Sequence, residues 1–141
     1  MPIANIYNAE KSAEFNKIWS NSPDQILYRK CNGCVSSHQH IYYRRFDGNG
    51  LPTGFDMLDL ILQNWFSSPK IQHNDFNVDF KLYSTYEDAL LDQNEWKFCN
   101  FNDPTVGFPR DCAPNDKTDY QWYPHQNDVV FYIQVPNTYQ T

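Results

Sequence analysis

Two β-rich runs, residues 25–31 and 34–45, are joined by Asn32-Gly33. Asn-Gly favours a type I′ hairpin turn, because both central residues need positive φ. A two-residue loop would fix the register, setting Cys31 opposite Cys34, Arg29 opposite Ser36 and Leu27 opposite His38. The alternation then predicts a core face of Ile26, Tyr28, Val35, Ile41 and Tyr43. It predicts an opposite face of Arg29, Cys31, Cys34, Ser36, His38, His40, Tyr42 and Arg44. A chain that commits this much sequence to one hairpin is expected to build an antiparallel sheet around it.

The rest of the chain supplies partners for that sheet. Phe15, Ile18 and Trp19 stand at i, i+3 and i+4, so residues 9–20 read as a short amphipathic helix, broken by Asn21-Ser22-Pro23-Asp24. Residues 53–66 leave few polar positions and read as a helix buried on most sides. Asp56 and Asp59 on it form either a candidate acid pair or, more simply, its solvated face. Residues 78–82 alternate as a half-buried strand. Ser84 and Glu87 then have capping-box spacing for a short helix to about Asp92. Residues 96–101 and 128–135 read as further strands, the latter with Val129, Phe131, Ile133 and Val135 on one face. Residues 102–127 form a long irregular stretch. Without a regular βαβ rhythm, the pattern predicts an α+β fold. It is a single compact domain over residues 1–141, with a mainly antiparallel sheet, one buried helix and two short ones.

Composition excludes several classes. With 141 residues, 40% hydrophobic and 17% aromatic, the chain has material for one core and is not a disordered tail. A net charge of -6, from 11 basic and 17 acidic residues, is a poor balance for a nucleic-acid surface. No apolar run is long enough for a membrane span. Met1–Asn5 has neither the basic nor the apolar region of a signal peptide, which points to the cytosol. The 4 cysteines point the other way, to an extracellular domain with two disulfides, and that is the expectation kept here.

The cysteines also carry the first chemical question. Cys31-Asn32-Gly33-Cys34 has the spacing of a redox dithiol or of half a zinc site. Its flanks are strand-like, without the helix N-terminus that lowers a redox thiol's pKa. On an extended strand His38 lies roughly 13 Å beyond Cys34, too far for one shared zinc. The preferred pairing is Cys31–Cys34 with Cys99–Cys112; crossed pairing, zinc and free thiols remain alternatives. His38-Gln39-His40 on a strand would place both imidazoles on one face, as β-scaffold metalloenzymes do, with a third ligand from His73, His125, Asp47 or Asp128. A solvent-facing polar strand is the plainer account. Asp47-Gly48-Asn49-Gly50 fails as an EF-hand, since Leu51, Pro52 and Leu58 occupy ligand and glycine positions. No nucleophile-elbow, P-loop or dinucleotide motif is present.

Tyr120-Gln121-Trp122-Tyr123 combines flat aromatics with amides, the chemistry of a sugar platform, although such residues equally anchor loops to cores. Arg110 either holds this region through a carboxylate or faces a ligand. The reading that results is a non-enzymatic extracellular binding or structural module, carbohydrate-binding or part of a surface assembly. Its expected binding face joins Arg29, His38, His40, Tyr42 and Arg44 to Tyr120, Trp122 and Tyr123. The partner is a glycan or a protein surface, self-association is allowed, and no cofactor is expected. The alternative is a metal-dependent enzyme centred on His38 and His40.

Overall fold

The structure, a computed structural model, describes residues 2–4, 9–22, 24–46, 56–62, 65, 75–99, 107–119, 121–122 and 129–133. Among the described residues, five strands form one sheet: β1 (Pro2–Ala4), β2 (Ile26–Cys31), β3 (His40–Arg45), β4 (Phe80–Tyr83) and β5 (Val129–Ile133). The order is β1-β5-β2-β3-β4, and every pairing is antiparallel. Helices α1 (Ala9–Ser20), α2 (Met57–Leu62) and α3 (Tyr86–Leu91) complete the α+β domain.

One sheet face is apolar because alternate residues of four strands are apolar. Leu27 and Cys31, Ile41 and Tyr43, Phe80 and Leu82, and Val129, Phe131 and Ile133 are all buried there. Helix α1 lays Phe15, Ile18 and Trp19 on this face, while its Ala13, Glu14, Lys17 and Ser20 face water. Helix α2 adds Met57, Leu58, Leu60 and Ile61, followed by the buried Trp65. The two helices are joined by Asn16. Its Oδ1 accepts from the amides of Met57 and Leu58, and its Nδ2 donates to Asp56 Oδ1 at 3.0 Å. A side chain of one helix thus caps the otherwise unpaired N–H groups of the other, and Asp56 serves that joint.

The expected hairpin is corrected. The Asn32-Gly33 turn forms, with Cys34 N donating to Cys31 O at 3.4 Å, but no strand begins at Cys34. Residues 36–38 make a 3-10 turn instead, Cys31 N donates to Gln39 O, and pairing starts at Lys30↔His40. Eight residues therefore separate the strands. Because side chains alternate, the changed register inverts β2: Leu27, Arg29 and Cys31 point into the core, and Tyr28 points out. On β3 the expected faces hold.

Other boundaries shift. Val78 is exposed in a turn, and the strand starts at Phe80. Helix α3 is capped by Thr85, whose hydroxyl accepts from Asp88 N, and not by Ser84, whose hydroxyl accepts from Trp96 Nε1. Of the expected strand at 96–101, the described part is a bridge between Phe98 and Ala113 and a Trp96 N to Leu82 O bond along β4. Disulfides join Cys31 to Cys34 and Cys99 to Cys112. Tyr120, Tyr123, His73, His125, Asp128 and the 47–52 loop lie outside the described residues.

Candidate functional site

The face of the sheet turned away from α1 and α2 is built in three cross-strand rows. The middle row runs Tyr132–Tyr28–Tyr42–Tyr83, each residue the direct partner of the next. Beside it lies Val130–Lys30–His40, and on the other side Ile26–Arg44–Lys81. Directly opposed residues in an antiparallel pair sit close enough for their side chains to touch. Accordingly the Tyr28 ring stacks on Tyr42 with centroids 4.7 Å apart and planes 11° from parallel, and on Tyr132 at 5.5 Å and 22°. His40 stacks on Tyr28 as well, and its Nδ1 shares a hydrogen bond with the Tyr28 hydroxyl.

Helix α3 covers one end of this face. Ala89 packs with Ile26 and the buried Tyr83, with Tyr42 at the margin. Arg44 donates to the carbonyls of Ala89 and Leu90, satisfying the C-terminal end of the helix, and its guanidinium lies 4.7 Å from the Phe46 ring centre. Lys81 pairs with Asp92, and Tyr83 donates to the same carboxylate at 2.7 Å. Among the described residues, the end of this face that α3 leaves uncovered holds Tyr28, Tyr42, Tyr132, Lys30 and His40, all half-buried or exposed. Partial burial, reinforced by the neighbouring phenols, holds the Tyr28 and Tyr42 hydroxyls above the usual phenol range, so both are protonated at neutral pH.

Arg29 and His38 occupy a different place. Arg29 is fully buried beneath the 32–39 loop, donating to His38 O at 3.3 Å and to Gln121 O at 2.7 Å and lying against the Cys34 sulfur. Burial pulls its guanidinium down to about 9. His38 is equally buried. Its Nε2 donates to Cys112 O at 2.9 Å, its Nδ1 accepts from the Ser37 hydroxyl, and its ring rests on Trp96. Desolvation, outweighing the bond to Cys112 O and assisted by the Arg29 charge, lowers its pKa. Gln121 completes the joint by accepting from Val35 N through Oε1. Trp122 packs so closely on Gly107 that a Cβ there would fall inside the indole.

The sequence-derived face is thus divided. His40, Tyr42 and Arg44 share the outer face, with Arg44 engaged by α3. Arg29, His38, Gln121 and Trp122 belong to the layer that ties the loops together on the inner side. His38 and His40 point to opposite sides of the chain, so they do not converge as a ligand pair. Among the described residues, no group of three or more His, Cys, Asp and Glu side chains comes together to hold a metal ion. Arg110 pairs with the adjacent Asp111 at 3.4 Å. Tyr28, Lys30 and Tyr132 are outer-face residues that the sequence reading did not select. Tyr132 was legible from the alternation of β5, whereas Tyr28 was hidden by the assumed register.

No family model, curated protein or solved structure matches the chain in comparisons with known proteins.

Proposed function

We propose that this protein is a non-enzymatic extracellular binding module that engages a glycan or protein surface through the uncovered outer face of its sheet. The observation that carries this reading is the tyrosine row, in which Tyr132, Tyr28 and Tyr42 come from three adjacent strands and stack in register. Rings held this way have already lost their rotamer freedom, so a ligand that touches them orders little that is not already ordered. Two disulfides support an oxidising compartment. No helix among the described residues is long and apolar enough to cross a membrane.

A second reading, a subunit of a surface assembly, draws on Tyr86, Leu90 and Leu91, exposed on α3 beside the same face. A glycan array probed with the intact protein, a Tyr42→Ser/Tyr132→Ser variant and Trp122→Ala tests the reading. Near-UV circular dichroism would check each fold. Binding that is lost in the tyrosine variant and kept in Trp122→Ala supports the outer face. Loss only in Trp122→Ala moves the site to the loops. Silence on the array, with concentration-dependent association that the tyrosine variant abolishes, favours the assembly.

A further inference from the structure

We infer that the uncovered face takes an acidic, hydroxyl-rich polymer, a glycan that carries uronate carboxylates. This inference rests on the binding-module reading above and names its ligand class.

Three features of the face select that chemistry. The first is ring geometry. A sugar that binds by stacking needs an open aromatic face, but both faces of Tyr28 are taken up by Tyr42 and Tyr132. What Tyr28 presents outward is a ring edge, which carries the positive side of the quadrupole, and its hydroxyl is already bonded to His40 Nδ1, so the hydroxyls left to a ligand are those of Tyr42 and Tyr132. Such a surface offers hydrogen-bond donors to acceptor groups on a ligand.

The second is charge. The protein carries a net charge of -6, yet the Val130–Lys30–His40 and Tyr132–Tyr28–Tyr42 rows contain no carboxylate. In the third row the cations are already answered: Lys81 by Asp92 and Glu95, and Arg44 by the α3 carbonyls. Lys30 has no ion-pair partner among the described residues. It stands one row from the tyrosines, so a positive site adjoins the Tyr42 and Tyr132 O–H donors. A carboxylate placed there gains charge-assisted hydrogen bonds, which are about twice as strong as neutral ones.

The third is length. Strands lie about 4.8 Å apart, so the hydroxyl row across β5, β2 and β3 extends over roughly 10 Å. That matches two linked pyranose rings, with Lys30 along one side to meet a carboxylate. The row is fixed by strand pairing, so its spacing is set before any ligand arrives.

The experiment is calorimetric titration of the intact, disulfide-bonded protein with a panel of uronate oligomers and with their methyl esters. Esterification removes the charge and leaves the ring hydroxyls. The expected result is binding to at least one acid form that weakens about tenfold or more on esterification, the size of one lost charged hydrogen bond. Binding should weaken comparably in Lys30→Gln and fall with added salt. Tyr42→Phe, which keeps the ring, should weaken it severalfold without moving the thermal midpoint.

Equal affinity for acid and ester forms overturns the inference. If Tyr42→Phe or the tyrosine double variant still weakens that binding, the outer-face reading survives it. Failure of every uronate oligomer to bind also overturns the inference, whatever the glycan array returns for neutral sugars or protein partners. Binding that is insensitive to Lys30→Gln and to both tyrosine changes overturns the inference and the outer-face reading together.

Discussion

Arg29 is the residue on which the loop layer turns. Its guanidinium is buried with carbonyl oxygens and a sulfur for company, and no carboxylate pairs with it among the described residues. The carbonyls take its terminal N–H groups while its Nε is buried without a hydrogen-bond partner, and removing the side chain strands two buried acceptors, His38 O and Gln121 O. Each orphaned acceptor costs about 1–3 kcal/mol. Arg29→Ala should therefore lower stability by roughly 2–5 kcal/mol in urea unfolding, more than a surface arginine could. A loss below about 1 kcal/mol would mean that the carbonyls find other donors. His38 yields a pH prediction. It is neutral when folded, with one ring nitrogen donating and the other accepting, and its folded pKa lies below the ordinary imidazole value of about 6.5. The unfolded chain takes up the proton first, so this contribution is complete above 6.5 and is lost as pH falls through the folded pKa. His38→Gln retains a donor for Cys112 O without titrating. The thermal midpoint of the native protein should fall between pH 7 and pH 5 relative to that of the variant. Parallel curves would remove His38 as the cause.

At the scale of elements, local sequence and tertiary context divide the credit unevenly. Helix α3 is short, and its start depends on the Thr85 hydroxyl accepting from Asp88 N at 3.1 Å. Thr85→Ala should cost about 1 kcal/mol, the usual value of an N-cap. Ser84→Ala should act differently, by taking the hydroxyl that accepts from Trp96 Nε1. Thermal unfolding of both variants with fluorescence of the buried tryptophans separates them: only Ser84→Ala should alter the emission of the folded state. The capping-box pattern placed this helix correctly and its cap one residue early, because Ser84 was claimed by a tryptophan twelve positions away. Helix α1 and the inward face of β5 were legible because each is a plain periodicity with no competing partner. The 25–45 hairpin was legible in existence but not in register. Asn32-Gly33 does turn the chain, but the disulfide that brackets it and the 3-10 turn at 36–38 delay the second strand. That delay put Tyr28 on the outer face and Arg29 in the core, so half of the candidate site was invisible to alternation alone. The cross-strand tyrosine row depends on β5 lying beside β2, a pairing across roughly a hundred residues that no local pattern announces.

Across the whole molecule, covalent and noncovalent ties work at different ranges. β5 lies between β1 and β2, so the sheet is assembled from both ends of the sequence, whereas each disulfide closes only a short local loop. By loop length, Cys31–Cys34 constrains the unfolded chain by about 2 kcal/mol and Cys99–Cys112 by about 3 kcal/mol. In the unfolded state the two loops do not overlap, so those contributions add. In the folded state they are joined: His38, from the loop after Cys34, donates to the carbonyl of Cys112, and Gln121 accepts from both Arg29 and Val35. Loosening either loop withdraws partners from the other. Replacing one cysteine pair by serine should thus already disorder part of what the second bridge holds. The four-serine variant should then lose at least about 0.5 kcal/mol less than the sum of the two paired variants. Urea unfolding of the three variants and the native protein measures this. Losses that add within that margin would show the two bridges to be independent, and the Arg29, His38 and Gln121 bonds would then be local contacts that do not couple the loops.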